Sequence, residues 1–137
     1  MQEVRIKLTA KHLVDGNEEE TIHDYTGRYV EKENAWYLTY REQMEGIGEV
    51  GTTLRLGEKS VTLVRQGQVS TRQQFEKGKS THSVYRSPYG PFDMETHTNK
   101  LRIQVQDGMP RNVEIAYQLW MSGQYAGEHR LQIQINP

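Results

Sequence analysis

Two charged residues lie at positions where strand periodicity predicts inward-pointing side chains. Glu42 follows Tyr40 by two positions, and Arg65 follows Leu63 by the same step. Because successive side chains of a β-strand leave opposite faces of the sheet, residues two apart share a face. If that face lines a barrel, the carboxylate and the guanidinium can pair, or can orient a polar ligand through paired hydrogen bonds. Two other interpretations stay open: an internal ion pair without a ligand, or a Glu42 that meets water at the barrel mouth.

Aromatic side chains are the second feature that could form a binding site. Barrel mouths lined by rings furnish ligand cavities, whereas the same rings can also simply fill a barrel interior. The rings fall along most of the predicted strands, at Tyr25, Tyr29, Trp36, Tyr40, Phe75, Tyr85, Phe92 and Tyr117. Combining the charges with the rings, we predict a ligand-binding site in the barrel lumen formed by Tyr40, Glu42, Arg65, Tyr85 and Tyr117.

Residue types suited to metal or cofactor chemistry lack the usual spacing. The chain has no Cys, and its five histidines show neither a His-x-His nor a His-x-x-x-His pattern. Distant residues can meet on a barrel, for example His97 with His82 or Glu95, but spacing alone does not predict such a site. The glycine rhythm over residues 46–51 is not followed by a helical pattern, so it indicates a turn rather than a phosphate cradle. We expect neither a metal nor a cofactor.

Catalytic patterns are equally weak. No serine stands in a Gly-x-Ser-x-Gly elbow, which in hydrolases exposes the nucleophile on a sharp turn. Asp93 and Glu95 alternate on one strand, a pattern more typical of a solvated outer face than of an acid/base pair with separated pKa values. We therefore predict no catalytic residue, and the chain does not have the signature of an enzyme.

Turn signals recur about every ten residues, a spacing typical of strands linked by hairpins. Glycine supplies the positive φ that tight hairpin turns require. The signals are Asp15-Gly16-Asn17, Glu33-Asn34, Gly46-Ile47-Gly48, Gly57-Glu58, Gln66-Gly67, Lys77-Gly78, Ser87-Pro88-Tyr89-Gly90, Asp107-Gly108 and Ser122-Gly123.

Between the turns the hydrophobic period is two, as in Val4, Ile6 and Leu8 or in Val113 and Ile115. Trp36, Tyr40, Met44 and Ile47 could instead line one face of a helix, but the surrounding residues are strand formers, so we predict a strand. The expected fold is all-β: one domain over residues 1–137, in which a single antiparallel meander of about ten strands closes into a barrel.

Composition excludes several partners. The formal net charge is −1 with both signs dispersed, so we expect no nucleic-acid footprint. No apolar run approaches membrane-spanning length, and residues 1–15 lack the apolar core of a signal peptide. We expect no membrane partner and a cytoplasmic location.

Three stretches resemble one known family across nearly the whole chain. They are Thr26-Gly27-Arg28-Tyr29 with Tyr37-Leu38-Thr39-Tyr40-Arg41-Glu42; then Phe75, Gly78, Tyr85, Ser87-Pro88-Tyr89-Gly90 and Thr98; then Tyr117 with Leu131-Gln132-Ile133-Gln134-Ile135. In order and spacing they resemble the YwiB-like family of uncharacterised bacterial proteins. The family usually has Thr-Pro where this chain has Ser87-Pro88, which keeps the hydroxyl. The resemblance implies a lipocalin-like (calycin) barrel and a cytoplasmic location, and it implies no activity.

Two functions fit these observations. The first is a small-molecule binding module with its pocket in or at the mouth of the barrel. The alternative is a protein-interaction or structural module that uses the outer barrel face, for example as a homo-oligomer. Outward aromatics near Trp36 and Trp120 would then anchor the contact.

Overall fold

Ten antiparallel strands account for almost all of the chain in a computed structural model that describes residues 2–137. Each predicted turn falls at a junction between consecutive strands, and the all-β prediction is confirmed. The segment from Trp36 to Met44 is strand, so the helical alternative is wrong. Residues 2–137 contain no helix that could cross a membrane. The strands are β1 Gln2–Val14, β2 Asn17–Lys32, β3 Ala35–Met44, β4 Gly48–Leu56, β5 Ser60–Gly67, β6 Thr71–Glu76, β7 Ser80–Ser87, β8 Gly90–Gln106, β9 Met109–Met121 and β10 Gln124–Asn136.

The strand order is that of a meander wrapped around on itself. Strands neighbour each other in the order β6-β5-β4-β3-β2-β1-β10-β9-β8-β7, so the pairing of β1 with β10 joins the two ends of the chain. The sheet edges β6 and β7 are joined by one bridge, in which Ser70 and Arg86 exchange two backbone hydrogen bonds of 2.9 Å. A buried hydrogen bond of 2.9 Å from Gln73 Nε2 to Thr96 Oγ1 adds a side-chain link across this seam. The barrel is therefore nearly closed.

Tight turns explain why this order is readable from the chain. At Asp15-Gly16 and at Asp107-Gly108 both residues have positive φ, with values of 50° and 79° and of 55° and 75°. Two-residue turns with this backbone match the right-handed twist of the flanking strands, and Asp-Gly adopts it readily. Each such turn pairs its two strands directly and fixes their register.

The core fills one half of the barrel. The predicted alternation is confirmed on β1, β4, β9 and β10, where buried side chains alternate with more exposed ones. The core side chains with almost no exposure are Val4, Ile6, Leu38, Leu54, Leu56, Val61, Phe75, Val113, Ile115, Ile133 and Ile135. Trp36 also packs against this core, while its Nε1 donates a hydrogen bond to Glu31. The prediction that Trp36 lies on the outer face is therefore wrong, because it shares the inward face of Leu38 and Tyr40.

β2 and β3 separate in the other half of the barrel. β2 pairs with β1 from Asn17 to Tyr29, but it pairs with β3 only from Arg28 onward. β3 likewise pairs with β2 only as far as Thr39, and its later residues pair only with β4. Gly27 lies at the point of separation, where a Cβ would come within 2.6 Å of the Thr39 carbonyl oxygen. Only glycine allows the two strands to approach this closely before they diverge.

Candidate functional site

A cavity of about 610 Å³ occupies the half of the barrel where β2 and β3 separate. This volume lies within the usual range for ligand pockets. Core side chains such as Leu54, Phe75 and Ile115 form its floor, and the polar ends of β1, β2, β3 and β10 form its rim. Four of the five predicted site residues line it: Tyr40, Glu42, Arg65 and Tyr117.

Glu42 and Arg65 form an ion pair on the cavity wall, in which Glu42 is buried and Arg65 is half-buried. Arg65 Nε donates to Glu42 Oε2 at 2.9 Å, and Arg65 Nη2 makes a longer contact of 3.4 Å with Oε1. Thr52 Oγ1 donates to the same Oε2 at 2.5 Å. The strand register explains the cluster: Thr52 lies between Tyr40 on β3 and Arg65 on β5, and Glu42 is the next inward residue after Tyr40.

The pair holds Arg65 in its charged form inside the barrel. Burial alone would lower the pKa of the guanidinium, but attraction to Glu42 and their hydrogen bond outweigh it and raise that pKa. The side chains of Arg65 and Glu42 are 22% and 9% exposed, so the pair is shielded without being sealed. The pair Arg41–Glu49, on the outer face of β3 and β4, has side chains that are more than half exposed, and it is screened by water.

Tyr40 brings an unpartnered hydroxyl to the same wall. The residue is 4% exposed, and among residues 2–137 its buried Oη has no hydrogen-bond partner. Its ring stacks on that of Tyr25 across the point where β3 leaves β2, with centroids 4.9 Å apart. Burial and the nearby Glu42 raise the pKa of Tyr40, so the phenol keeps its proton. A buried hydroxyl without a partner costs stability, which marks this position as one where polarity is not explained by folding.

Tyr117 lies on the opposite wall, on β9. Its ring contacts that of Phe75, with ring centroids 4.9 Å apart, and stacks on that of His129, with centroids 5.1 Å apart. Burial raises the pKa of Tyr117 to about 12, with Arg65 acting in the opposite direction. The side chain is therefore a neutral phenol at physiological pH.

A stacked histidine pair, which was not predicted from the sequence, completes this wall. His12 and His129 face each other across β1 and β10 with ring centroids 4.2 Å apart. Both Nε2 atoms contact the Ala126 carbonyl oxygen, at 2.9 and 3.2 Å. Burial and the neighbouring His12 lower the pKa of His129. The signal in the sequence was periodicity. His12 lies two positions after Ala10, and His129 lies two positions before Leu131, so each histidine shares a strand face with an apolar residue that points inward.

A β-bulge on β10 positions Ala126. The register of β10 against β9 shifts between Tyr125 and Glu128, and Gly127 has a φ of +98°. A Cβ at Gly127 would lie 2.5 Å from the Leu13 carbonyl oxygen. The bulge therefore requires glycine, and it presents the preceding carbonyl to both histidine rings.

Tyr85 is not brought into this cluster. It lies on β7 opposite Phe92, and it is not among the residues that line the cavity. β9 pairs with β8 at Thr98 on the level of Tyr117, whereas Phe92 lies six residues earlier on β8. Tyr85 therefore lies at a different level along the barrel from the cavity.

The remaining histidines form no metal cluster. His97 Nδ1 hydrogen-bonds to Ser80 Oγ at 2.8 Å, and His82 pairs with Glu95 on the same hairpin. Within residues 2–137 no three His, Asp or Glu side chains are grouped so that they could hold a metal ion. An outward depression of about 470 Å³ over β1, β10 and β9 is rimmed by charged side chains, including the ion pair Lys100–Glu114 at 2.9 Å. It lacks the buried polar groups of the cavity.

Comparison with known proteins agrees with the fold and with the sequence resemblance. The chain is 31% identical over 134 residues to the uncharacterized beta-barrel protein YwiB of Bacillus subtilis (strain 168), covering 96% of this chain and 93% of YwiB. The crystal structure of the YwiB protein from Bacillus subtilis matches with a TM-score of 0.83 and 25% identity, over 98% of this chain and 90% of that one. Residues 6–133 match a family described as a domain of unknown function, DUF1934. The chain therefore belongs to the DUF1934 family of YwiB-like β-barrel proteins.

Proposed function

We propose that the protein binds a small organic molecule in the cavity between the β2–β3 separation and the core. The observation that carries this proposal is the Tyr40 hydroxyl, which is buried without a partner on the wall of a cavity of about 610 Å³. The Glu42–Arg65 pair on the same wall supports it. Pockets that bind small molecules combine a mostly apolar lining with a few convergent polar groups.

Stability alone is a weak explanation for these polar groups. Replacing a buried ion pair by apolar side chains of similar size is often neutral or stabilising, and an unpartnered hydroxyl costs free energy. Three inward residues of the barrel wall, Tyr40, Glu42 and Arg65, nevertheless carry such groups, and all three line the cavity. A bound molecule that uses their hydrogen-bonding capacity would offset the cost.

A cavity-filling variant tests the proposal. Ala10 lines the cavity on β1, whereas Ala116 on β9 lines the outward depression, so Ala10→Trp and Ala116→Trp form a matched pair. Binding of indole, followed by saturation-transfer NMR on the purified protein, is expected for the wild type and for Ala116→Trp and is expected to be lost in Ala10→Trp. Equal signals from both variants would reject the cavity as a binding site.

Association of two copies through the outer face is the second candidate. Trp120 and Tyr125 form an aromatic pair with centroids 5.4 Å apart, and Tyr125 is 52% exposed. Aromatic anchors of this kind are enriched in protein interfaces. Light scattering after size exclusion tests it: a wild-type dimer that becomes a monomer in Tyr125→Lys supports the interface, and a wild-type monomer at high concentration rejects it.

We also propose that the barrel is lipocalin-like (calycin) and that the protein works in the cytoplasm. The sequential strand order and the interior cavity support the first statement. Fractionation of cells that express the untagged chain tests the second, with recovery outside the cytosolic fraction as the contradicting result.

A further inference from the structure

Planar rings form two walls of the cavity. On one side Tyr25 and Tyr40 stack at 4.9 Å. On the other side His12, His129 and Tyr117 stack in series at 4.2 and 5.1 Å, with interplanar angles of 15° and 11°. All five residues line the cavity. The rings of each stack cover one another's faces, so a flat, unsaturated ligand meets these walls largely at ring edges, and edge-to-face contact is a preferred geometry of aromatic pairs.

Hydrogen-bond donors and acceptors lie side by side between these walls. Glu42 Oε2 accepts from both Thr52 and Arg65, whereas Oε1 has, within residues 2–137, only the long contact with Arg65 Nη2. A carboxylate oxygen has two lone pairs and a guanidinium has five N–H groups, so both side chains keep capacity for a further partner. The Tyr40 hydroxyl adds a group that can donate or accept. The wall thus offers an acceptor next to donors.

The charges of the lining cancel. Its basic residues are Lys11, Arg65 and Arg130, and its acidic residues are Glu19, Glu42 and Glu45. The lowered pKa of His129 keeps that ring neutral near pH 7. A strongly charged ligand such as a phosphate would find no uncompensated counter-charge and would lose its hydration on entry.

From these features, and resting on the proposed function, we infer that the ligand is an uncharged flat heterocycle with a lactam edge. A lactam carries an N–H donor beside a C=O acceptor, as in purine and pyrimidine bases. The N–H donates to Glu42 Oε1, and the carbonyl oxygen, which has two lone pairs, accepts from both Arg65 and the Tyr40 hydroxyl. The ring lies between the tyrosine wall and the histidine–tyrosine wall.

Three probes separate this inference from general cavity binding. Hypoxanthine has the lactam edge, 1-methylhypoxanthine lacks its N–H, and indole is flat but has no carbonyl. Isothermal titration of the full chain is expected to give hypoxanthine an affinity at least about tenfold above 1-methylhypoxanthine, because an unpartnered buried acceptor remains when the donor is blocked. Indole is expected to bind more weakly than hypoxanthine.

The variant Tyr40→Phe, with Tyr37→Phe as its control, tests whether the Tyr40 hydroxyl contacts the lactam edge of the ligand. Tyr37 is on the same strand but on the opposite face, where its Oη accepts from Arg55. Tyr40→Phe is expected to weaken hypoxanthine binding about three- to tenfold, the effect of one hydrogen bond, and Tyr37→Phe to leave it unchanged.

Each contrary result has a distinct meaning. Equal affinity for hypoxanthine and its methyl derivative, or binding of indole alone, overturns the lactam inference and leaves cavity binding intact. Absence of binding for all three probes overturns both proposals. Unchanged hypoxanthine binding in Tyr40→Phe removes that hydroxyl from the recognition edge and contradicts the arrangement inferred.

Discussion

A carboxylate and a guanidinium inside a barrel lose hydration, and their attraction offsets this loss only when their hydrogen bonds are well made. Period-two alternation predicted that Glu42 and Arg65 share the inner face, and the structure places them 2.9 Å apart. It did not single out Thr52, because many threonines alternate along the strands. Nor did it single out His12 and His129, because their meeting depends on the register between the first and last strands.

Removal of Glu42 tests the energetic weight of the ion pair. Glu42→Ala leaves the Arg65 charge and the Thr52 hydroxyl without their acceptor. We expect a loss of about 2–4 kcal/mol in the free energy of unfolding, slightly below the range for fully buried pairs because Arg65 retains some exposure. Urea denaturation measures it.

The control for this variant is Glu49→Ala, which removes the exposed partner of Arg41 on the outer face. We expect that loss to stay below about 1 kcal/mol. The double variant Glu42→Leu/Arg65→Met is expected to recover most of the stability lost in Glu42→Ala. Similar losses in the two alanine variants would contradict a buried, structurally coupled pair.

His129 gives the barrel a dependence on pH. Burial, together with His12, lowers the pKa of His129 below its ordinary value of 6.5, so the unfolded chain binds the proton more readily. The stability contributed by neutral His129 is therefore complete above pH 6.5 and is lost as pH falls towards the folded pKa. Urea midpoints between about pH 7.5 and 5.5 should fall for the wild type and fall less for His129→Asn. Identical slopes would contradict it.

At the scale of elements, alternation and turn chemistry predict which residues form strands and which faces they share. They do not predict where along the barrel axis a residue lies, since height depends on the accumulated register of many strand pairs. Tyr85 illustrates this limit, because it lies at a different level of the barrel from the other four predicted site residues. Irregularities such as the bulge at Gly127 and the separation at Gly27 depend on contacts between strands that are distant in sequence. The presence of a single glycine in the sequence is therefore not enough to predict them.

The bulge on β10 makes a prediction of its own. Gly127→Ala places a Cβ 2.5 Å from the Leu13 carbonyl oxygen at a φ of +98°. We expect a loss of about 2–4 kcal/mol, since backbone strain and a clash act together. Chemical denaturation, with near-ultraviolet circular dichroism of the Tyr117 environment, measures it.

Gly123→Ala is the matched control for the bulge variant. Gly123 has a φ of +80° in the β9–β10 turn, but nothing lies within 4 Å of the added Cβ. Only the backbone cost of about 1 kcal/mol is expected there. Equal losses at the two glycines would show that the contact with Leu13 carries no weight.

At the scale of the whole molecule, neighbouring strands pair along most of their length, with short irregularities in the β8–β9 and β9–β10 ladders, and they lose their pairing over a longer stretch at two places. One is the seam between β6 and β7, held by the single bridge Ser70–Arg86, by a hydrogen bond from Thr81 Oγ1 to the Gln74 carbonyl oxygen, and by the hydrogen bond from Gln73 on β6 to Thr96 on β8. The sequence predicted closure, which removes exposed edges. It did not predict how few backbone bonds would complete it, because the contact between two edge strands depends on how the whole sheet curves, which local sequence patterns do not encode.

Amide hydrogen exchange reports on this seam. Amides of β6 and β7 that point towards each other are expected to exchange faster than those in the β1–β10 ladder, where nine consecutive residue pairs are in register. Exchange at each residue, followed by NMR, measures the difference. Uniform protection around the barrel would indicate a fully bonded seam.

The second place is the part of β2 before Arg28, where β2 and β3 are not paired. Residues 17–27 of β2 pair with β1 but have no partner in β3, so backbone hydrogen bonds do not set the width of this opening. A ligand that enters through this opening breaks no backbone hydrogen bond of the sheet. The entrance can widen or narrow when the β1–β2 hairpin bends, because over these residues the hairpin pairs with the rest of the sheet only through β1.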